Sequence, residues 1–304
     1  MRVLVPDSPL RGEMGTLPDS VELVAEPAPI VEMMVLGPEF ANDVPAIFEQ
    51  LPGLRVVQSF SAGVDHLLPL MPPGVTLCSA AGVHDASVSE WVVAAILAMR
   101  RRLPEFRELQ GRAEWNRDLA EPGGFSNHPI DDLEGRTVLV LGYGSIGRAL
   151  AARLAPFGVR VVGVAQHARL DAVTPESLRR LLPEADVVVD LLPLTPATRK
   201  FVDADFFSRM KAGAIFVNAG RGGTVDTDAL VDALRLGRIR IALDVTDPEP
   251  LPADHPLWKE PNVLITPHIA GTVARWERRA YRFAGEQIRR YAAGEPLFGV
   301  QPRS

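Results

Sequence analysis

The stretch Val138–Gly158, "VLVLGYGSIGRALAARLAPFG", decides how the rest of the chain is read. It opens as a short apolar run of strand character, passes through three glycines and continues with amphipathic helical periodicity. Gly142, Gly144 and Gly147 stand in G-x-G-x-x-G spacing. In that spacing the first glycine permits a tight turn, the second lets backbone approach a pyrophosphate, and the third lets the helix pack on the strand. The N–H groups of Ser145 and Ile146 would then open a helix and face the phosphates. Glycines also punctuate ordinary turns. The preceding strand and the following helix make this a dinucleotide fingerprint.

The next strand, "VRVVGVA", ends at Ala165. An acid about 20 residues beyond the fingerprint would accept the ribose hydroxyls of NAD. Ala165 cannot, and Gln166, His167 and Arg169 follow it. Loss of the anion and gain of a cation suit a 2′-phosphate, because a guanidinium is a natural phosphate partner. The cofactor expected is therefore NADP(H), with NAD(H) possible. Against this stand a merely solvated Arg169 and a displaced acid at Asp171.

The same alternation extends in both directions. "RVLV", "VELV", "VEMMVLG", "LRVVQSF" and "VTLCSA" read as strands in the first eighty residues, with "PEFANDVPAIFEQL" as a helix among them. A long helix follows in "SVSEWVVAAILAMRRR", for which Ser87 or Ser89 is the expected cap. Leu103–Arg136 is polar, broken by "EPGG" and "NHPIDD", and reads as a connection. Alternation resumes with "TVLVLG", "VRVVGVA", "ADVVVDLL", "GAIFVN", "RIALDV" and "NVLIT" before a final helix from about Thr272 to Ala293. Strands alternating with helices predict parallel sheets covered on both faces. The leftover helix implies a discontinuous first domain, residues 1–99 with 275–304, into which 100–274 is inserted.

Composition narrows the function. At 304 residues, the chain is long enough for two domains with cores of their own. Its 47% hydrophobic and 23% charged residues are the balance of an ordinary globular protein. A formal charge of -6 argues against nucleic acid or an anionic membrane as partner. The single cysteine, Cys78, excludes an intramolecular disulfide framework and suits a reducing compartment. No apolar run reaches the ~18 residues of a membrane span, and "MRVLVPDSPL" reads as a first strand rather than a signal peptide. A cytoplasmic location is expected.

Three later strand ends each deliver polar residues out of apolar runs. "GAIFVNAGRGGTVD" carries Asn218 and Arg221, "IALDVTDPEPLP" carries Asp244 and Glu249, and "NVLITPHIAG" carries His268. In an open parallel sheet such residues can converge on one crevice. Singly, each also suits a cap, a loop or a turn. Together they fit carbonyl reduction. The fork of Arg221 would hold a substrate carboxylate and polarise the adjacent carbonyl. His268 would give the proton, and Glu249 would orient the imidazole.

The chain resembles the D-isomer-specific 2-hydroxyacid dehydrogenases over nearly its whole length. The resemblance is carried by "FSAGVDHL", "SVSEWVVAAILAMRR", "LEGRTVLVLGYGSIGRALA", "LLPLTPATRKFVD", "MKAGAIFVNAGRGGTVDTDALVDAL", "ALDVTDPEPLPADHPLW" and "NVLITPHIAG". It implies an α/β fold of two doubly wound parallel-sheet domains, a Rossmann cofactor domain inserted into a flavodoxin-like substrate domain, hinged over the active site. By the same resemblance Arg221, Glu249 and His268 are catalytic. Ser61, Ala62 and Gly63 grip the substrate carboxylate together with Arg221 and His268. Asp244 meets the nicotinamide carboxamide, and Pro193, Asn218 and Ala219 line the cofactor cleft. A homodimer built through the cofactor domain is also implied, and no metal is expected.

The departure at Ala165 matches what NADPH-using hydroxypyruvate and glyoxylate reductases of this family look like. The expected reaction is hydride transfer between NADPH and a small 2-oxo acid, giving a D-2-hydroxy acid. Phosphoglycerate dehydrogenase is the nearby alternative, and the sequence ends at Ser304 without a regulatory extension. Glu249 stands where formate dehydrogenases of the family carry glutamine. Phosphite oxidation and a nucleotide-sensing corepressor use the same triad.

Overall fold

The computed structural model describes residues 1–40, 43–121, 124 and 129–302. The chain divides into two units, Met1–His84 with Val273–Ser304, and Asp85–Thr272.

In the first unit, strands β1 (Arg2–Leu4), β2 (Glu22–Val24), β3 (Val31–Leu36), β4 (Val56–Ser59) and β5 (Thr76–Cys78) form one sheet in the order β2-β1-β3-β4-β5. Every pairing is parallel, and the order is that of flavodoxin-like folds. Helix α1 (Val44–Glu49) covers one face, where Phe48 packs with Leu4, Met34 and Val57. The C-terminal helix α8 (Trp276–Ala292) covers the other, burying Ala280, Tyr281, Ala284 and Ile288 against Val3, Val5, Met33 and Val35. Neighbouring strand residues thus go to opposite faces, which is why these strands read as continuous apolar runs. The helix begins at Trp276, four residues later than its sequence pattern suggested.

The second unit holds α2 (Asp85–Arg100), α3 (Leu103–Gly111), α4 (Ser145–Leu154), α5 (Leu178–Leu181), α6 (Ala204–Arg209) and α7 (Thr227–Arg235). Its strands are β6 (Thr137–Leu141), β7 (Arg160–Val164), β8 (Ala172–Val173), β9 (Val187–Asp190), β10 (Ile215–Asn218), β11 (Arg240–Leu243) and β12 (Val263–Ile265). They form a parallel sheet in the order β12-β11-β10-β9-β6-β7-β8. This is the Rossmann order with one further strand, and its switch point lies between β6 and β9. Val138 and Val140 pack with Val92, Ile96 and Leu150 on one face. Leu139 and Leu141 pack with Leu181, Phe206 and Leu234 on the other. The sheet is doubly wound.

Several expectations need correction. The helix expected to close the first domain at residue 99 groups instead with the second unit, because Val88, Val92, Ala95, Ile96 and Met99 share a core with β6, β9 and β10. It starts at Asp85, so Ser87 and Ser89 lie inside its first turns rather than at its cap. Ser89 Oγ turns back to the Asp85 and Ala86 carbonyls, a common fate of serine within a helix. Leu103–Gly111 is a helix, not a connection. Pro104 is compatible with a helix start, and Leu109 is the helix's buried residue, too thin a stripe to register as periodicity. The remainder of that polar stretch lies partly outside the described residues.

Candidate active site

The glycine loop joins β6 to α4 at the switch point. Gly142 adopts φ 76°, and a side chain there would strike the Leu191 carbonyl. At Gly147 a Cβ would press on Tyr143 and Val140, so this glycine sets how closely helix meets strand. Gly144 differs: a Cβ there would meet nothing nearer than the Gly142 carbonyl at 3.9 Å. It is exposed and stands at the N-cap of α4 without a side-chain cap. The first-turn N–H groups, from Ser145 and Ile146 onward, stand at the positive end of the helix, and the N-cap residue offers them no side-chain acceptor. These residues fit a dinucleotide pyrophosphate. Ser145 Oγ also donates to Asp85 Oδ1 at 2.9 Å, a partner that sequence spacing gave no way to foresee.

The loop after β7 is open. Gln166, His167 and Arg169 are exposed, and Ala165 is half-buried against the core under the glycine loop. Arg169 turns back so that Nη2 donates to the Tyr143 carbonyl, between the first two fingerprint glycines. Asp171, the alternative acid, faces two cations, with Arg169 at 3.7 Å and Arg148 at 3.8 Å.

The ends of β10, β11 and β12 carry the remaining candidates. Asn218 is buried and fastens the turn that follows it. Its Oδ1 accepts from the Gly220 N–H at 2.9 Å and its Nδ2 donates to the Arg221 carbonyl at 3.0 Å. A Cβ on Gly222 would overlap the Thr246 carbonyl, so the Arg221 turn lies flush against the segment leading to Glu249. Arg221 Nη1 donates to the Gly220 carbonyl at 2.8 Å.

His268 Nδ1 lies 2.6 Å from Glu249 Oε1. Its backbone sits at φ 55°, a left-handed conformation uncommon outside glycine. Asp244 holds it there. Its buried carboxylate accepts from Thr266 Oγ1 at 2.6 Å, the Ile269 N–H at 2.9 Å and the Ala270 N–H at 2.8 Å. The His268 N–H itself donates to the Asp244 carbonyl at 2.8 Å. The backbone on both sides of the histidine is thereby fixed by one acid.

Ala219 follows β10, its N–H donating to the Asp190 carbonyl at 3.1 Å, and Pro193 is exposed in the loop after β9. Ser61, Ala62 and Gly63 follow β4 in the first unit, where the Ser61 N–H donates to Ser59 Oγ at 3.0 Å. Sequence reasoning passed over Asp190 and Thr224, both buried at the switch point and joined at 2.6 Å. The signal was a lone acid ending the valine run "VVVD".

A family model described as the NAD binding domain of D-isomer specific 2-hydroxyacid dehydrogenases matches residues 93–270, more than half of the chain. The chain belongs to this family. It is 37% identical over 263 residues to glyoxylate/hydroxypyruvate reductase B of Escherichia fergusonii, covering 83% of this chain and 78% of that protein. Among solved structures, it is similar to the NADPH-dependent glyoxylate/hydroxypyruvate reductase of Sinorhizobium meliloti in complex with NADP and sulfate. That match has a TM-score of 0.82 and 28% identity, and covers 99% of this chain and 98% of the other. A D-isomer specific 2-hydroxyacid dehydrogenase from Xanthobacter autotrophicus, in complex with NADPH and MES, matches with a TM-score of 0.81 and 29% identity over 99% and 98% of the two chains. The protein is accordingly an NAD(P)-dependent oxidoreductase acting on 2-hydroxy acids. Among the described residues, no helix is long and apolar enough to cross a membrane.

Proposed function

We propose that the protein is an NADPH-preferring reductase of small 2-oxo acids such as glyoxylate and hydroxypyruvate. The observation that carries the cofactor reading is Arg169 folded onto the Tyr143 carbonyl of the glycine loop, beside a strand end that offers no acid. A cation held there supplies charge-assisted hydrogen bonds to a 2′-phosphate. Asp171, engaged by Arg148 and Arg169, is a poor acceptor for ribose hydroxyls. Gln166 and His167, exposed on the same loop, complete the adenosine end. The NADP(H) named with two solved relatives supports the same choice.

The cofactor, when bound, supplies the hydride. The chain's own residues do the rest. Glu249 on Nδ1 keeps a proton on that nitrogen and leaves Nε2 as the imidazole atom that protonates the forming hydroxyl. Arg221 binds the substrate carboxylate and draws on the carbonyl oxygen. Pro193, Asn218 and Ala219 border the nicotinamide. Asp244 serves chiefly to fix His268, with one lone pair of its carboxylate left for a carboxamide N–H.

The test is steady-state kinetics over a panel of 2-oxo acids with NADPH and NADH in parallel. We expect glyoxylate and hydroxypyruvate with NADPH to give the highest kcat/KM. A maximum with NADH, or with a phosphorylated substrate, would overturn the assignment.

The protein is further read as a homodimer formed through its cofactor-binding unit. Trp115 is 97% exposed, and it lines an apolar groove of about 630 Å³ with Phe106, Leu109, Ala113 and Ala120. So large an aromatic surface suits burial against a second copy. A sedimentation mass near that of one 33.0 kDa chain would contradict this.

A further inference from the structure

Asp190 ends β9 at the switch point of the Rossmann sheet and is completely buried. Its Oδ1 accepts from the Leu192 N–H at 2.8 Å, and its Oδ2 lies 2.6 Å from Thr224 Oγ1. The same Thr224 oxygen lies 2.6 Å from the Arg221 carbonyl. That carbonyl also accepts from Asn218 Nδ2 at 3.0 Å and the Thr224 N–H at 3.3 Å. Both 2.6 Å separations belong to the range of O–H···O hydrogen bonds, and each needs a proton of its own. A carbonyl brings none and a threonine hydroxyl brings one. A second proton would have to come from the carboxyl.

We propose that Asp190 is a positioning residue for Arg221, donating as a neutral acid to Thr224 Oγ1 and so directing the Thr224 hydroxyl onto the Arg221 carbonyl. When Asp190 ionises, the Thr224 hydroxyl donates to Oδ2 instead, and the turn bearing Arg221 loses that bond. This rests on the reading of Arg221 as the substrate clamp. The surroundings favour the neutral form at mildly acidic pH: burial pushes the Asp190 carboxyl up to about 6, against the opposing hydrogen bonds of Thr224 and Leu192. No charged neighbour contributes to that displacement. Beside Asp190 in register stand Leu141 on β6 and Asn218 on β10, neither of them titratable. The ionisable groups of the site (Arg221, Asp244, Glu249 and His268) are common to wild type and to the variants below, so differences between profiles report Asp190.

The experiment measures KM and kcat for glyoxylate with saturating NADPH from pH 5 to 9. Asp190→Asn imitates the neutral acid, since its amide donates to Thr224 and accepts from Leu192 without titrating. Below pH 5.5 the two KM values should agree. Above pH 7 the wild-type value should exceed that of the variant by about threefold to tenfold, the worth of one hydrogen bond, with kcat and NADPH affinity changed less than about twofold. Thr224→Val should raise KM at every pH, and Thr224→Ser should restore the wild-type profile; this pair carries the test by itself if Asp190→Asn fails to fold. Superimposable wild-type and Asp190→Asn profiles, or a Thr224→Val variant with wild-type KM, overturn the proposal. Thermal denaturation adds a check on the titration itself. A carboxyl raised by folding is stabilising below the usual carboxylate range, and that contribution is lost as pH rises through about 6. Asp190→Asn should therefore gain on wild type over that interval, and a constant difference would contradict the account. Arg221→Ala with unchanged KM and kcat would refute the clamp and leave the Asp190–Thr224 titration separately measurable.

Discussion

The two ends of the proposed cofactor site are built in opposite ways. After β7, the ribose end is an exposed loop: Arg169 and Asp171 are each more than two-fifths accessible, and their ion pair spans 3.7 Å. At the ends of β9 to β11, the chemical end is locked from beneath. Asp190, Asn218, Thr224 and Asp244 are at most 3% exposed, and the side chain of each makes hydrogen bonds of 2.6 to 3.0 Å. Exposed ion pairs contribute little to stability, whereas a buried acid stripped of its partners, or partners stripped of their acid, costs far more. On the proposed function, cofactor choice would sit where substitutions are cheap, and catalytic geometry where they are not.

That contrast can be broken at its strongest point first. His268→Ala removes the proposed proton donor but no buried bond. Its kcat should fall about 10²- to 10⁴-fold while the melting temperature and NADPH affinity stay near wild type. Retained turnover would remove His268 from the reaction.

Asp244→Ala sharpens the contrast, because it leaves Thr266 Oγ1 and the Ile269 and Ala270 N–H groups without their acceptor. Urea denaturation should show a loss on the order of 3–5 kcal/mol. Activity should fall as well, since the left-handed backbone of His268 loses its support. A variant that is as stable as wild type would show that the loop does not need Asp244.

Much of this was legible in the sequence, for identifiable reasons. The glycine spacing is imposed by backbone sterics, so Gly142, Gly144 and Gly147 announced their own turn. Fully covered strands must be apolar throughout, which made Asn218 and Asp244 conspicuous at strand ends. What escaped notice was decided by tertiary contact. Asp190 ends a valine run with nothing nearby in sequence to mark it, and its partner Thr224, 2.6 Å from its Oδ2, lies 34 residues away. The allegiance of α2 depended on which sheet its valines met, and β8, two residues long, has no period to detect. Arg169 was readable as a cation, but its fold-back onto Tyr143 was not.

The smallest perturbation bears most directly on the central claim, that the loop after β7 selects the cofactor independently of the machinery beneath. The measurement is kcat/KM for NADPH and for NADH in wild type and Arg169→Ala, with glyoxylate as substrate. The account predicts a loss of about 10- to 100-fold with NADPH, the worth of a charge-assisted hydrogen bond, and less than about twofold with NADH. Equal losses with the two cofactors, or no loss with either, would contradict it.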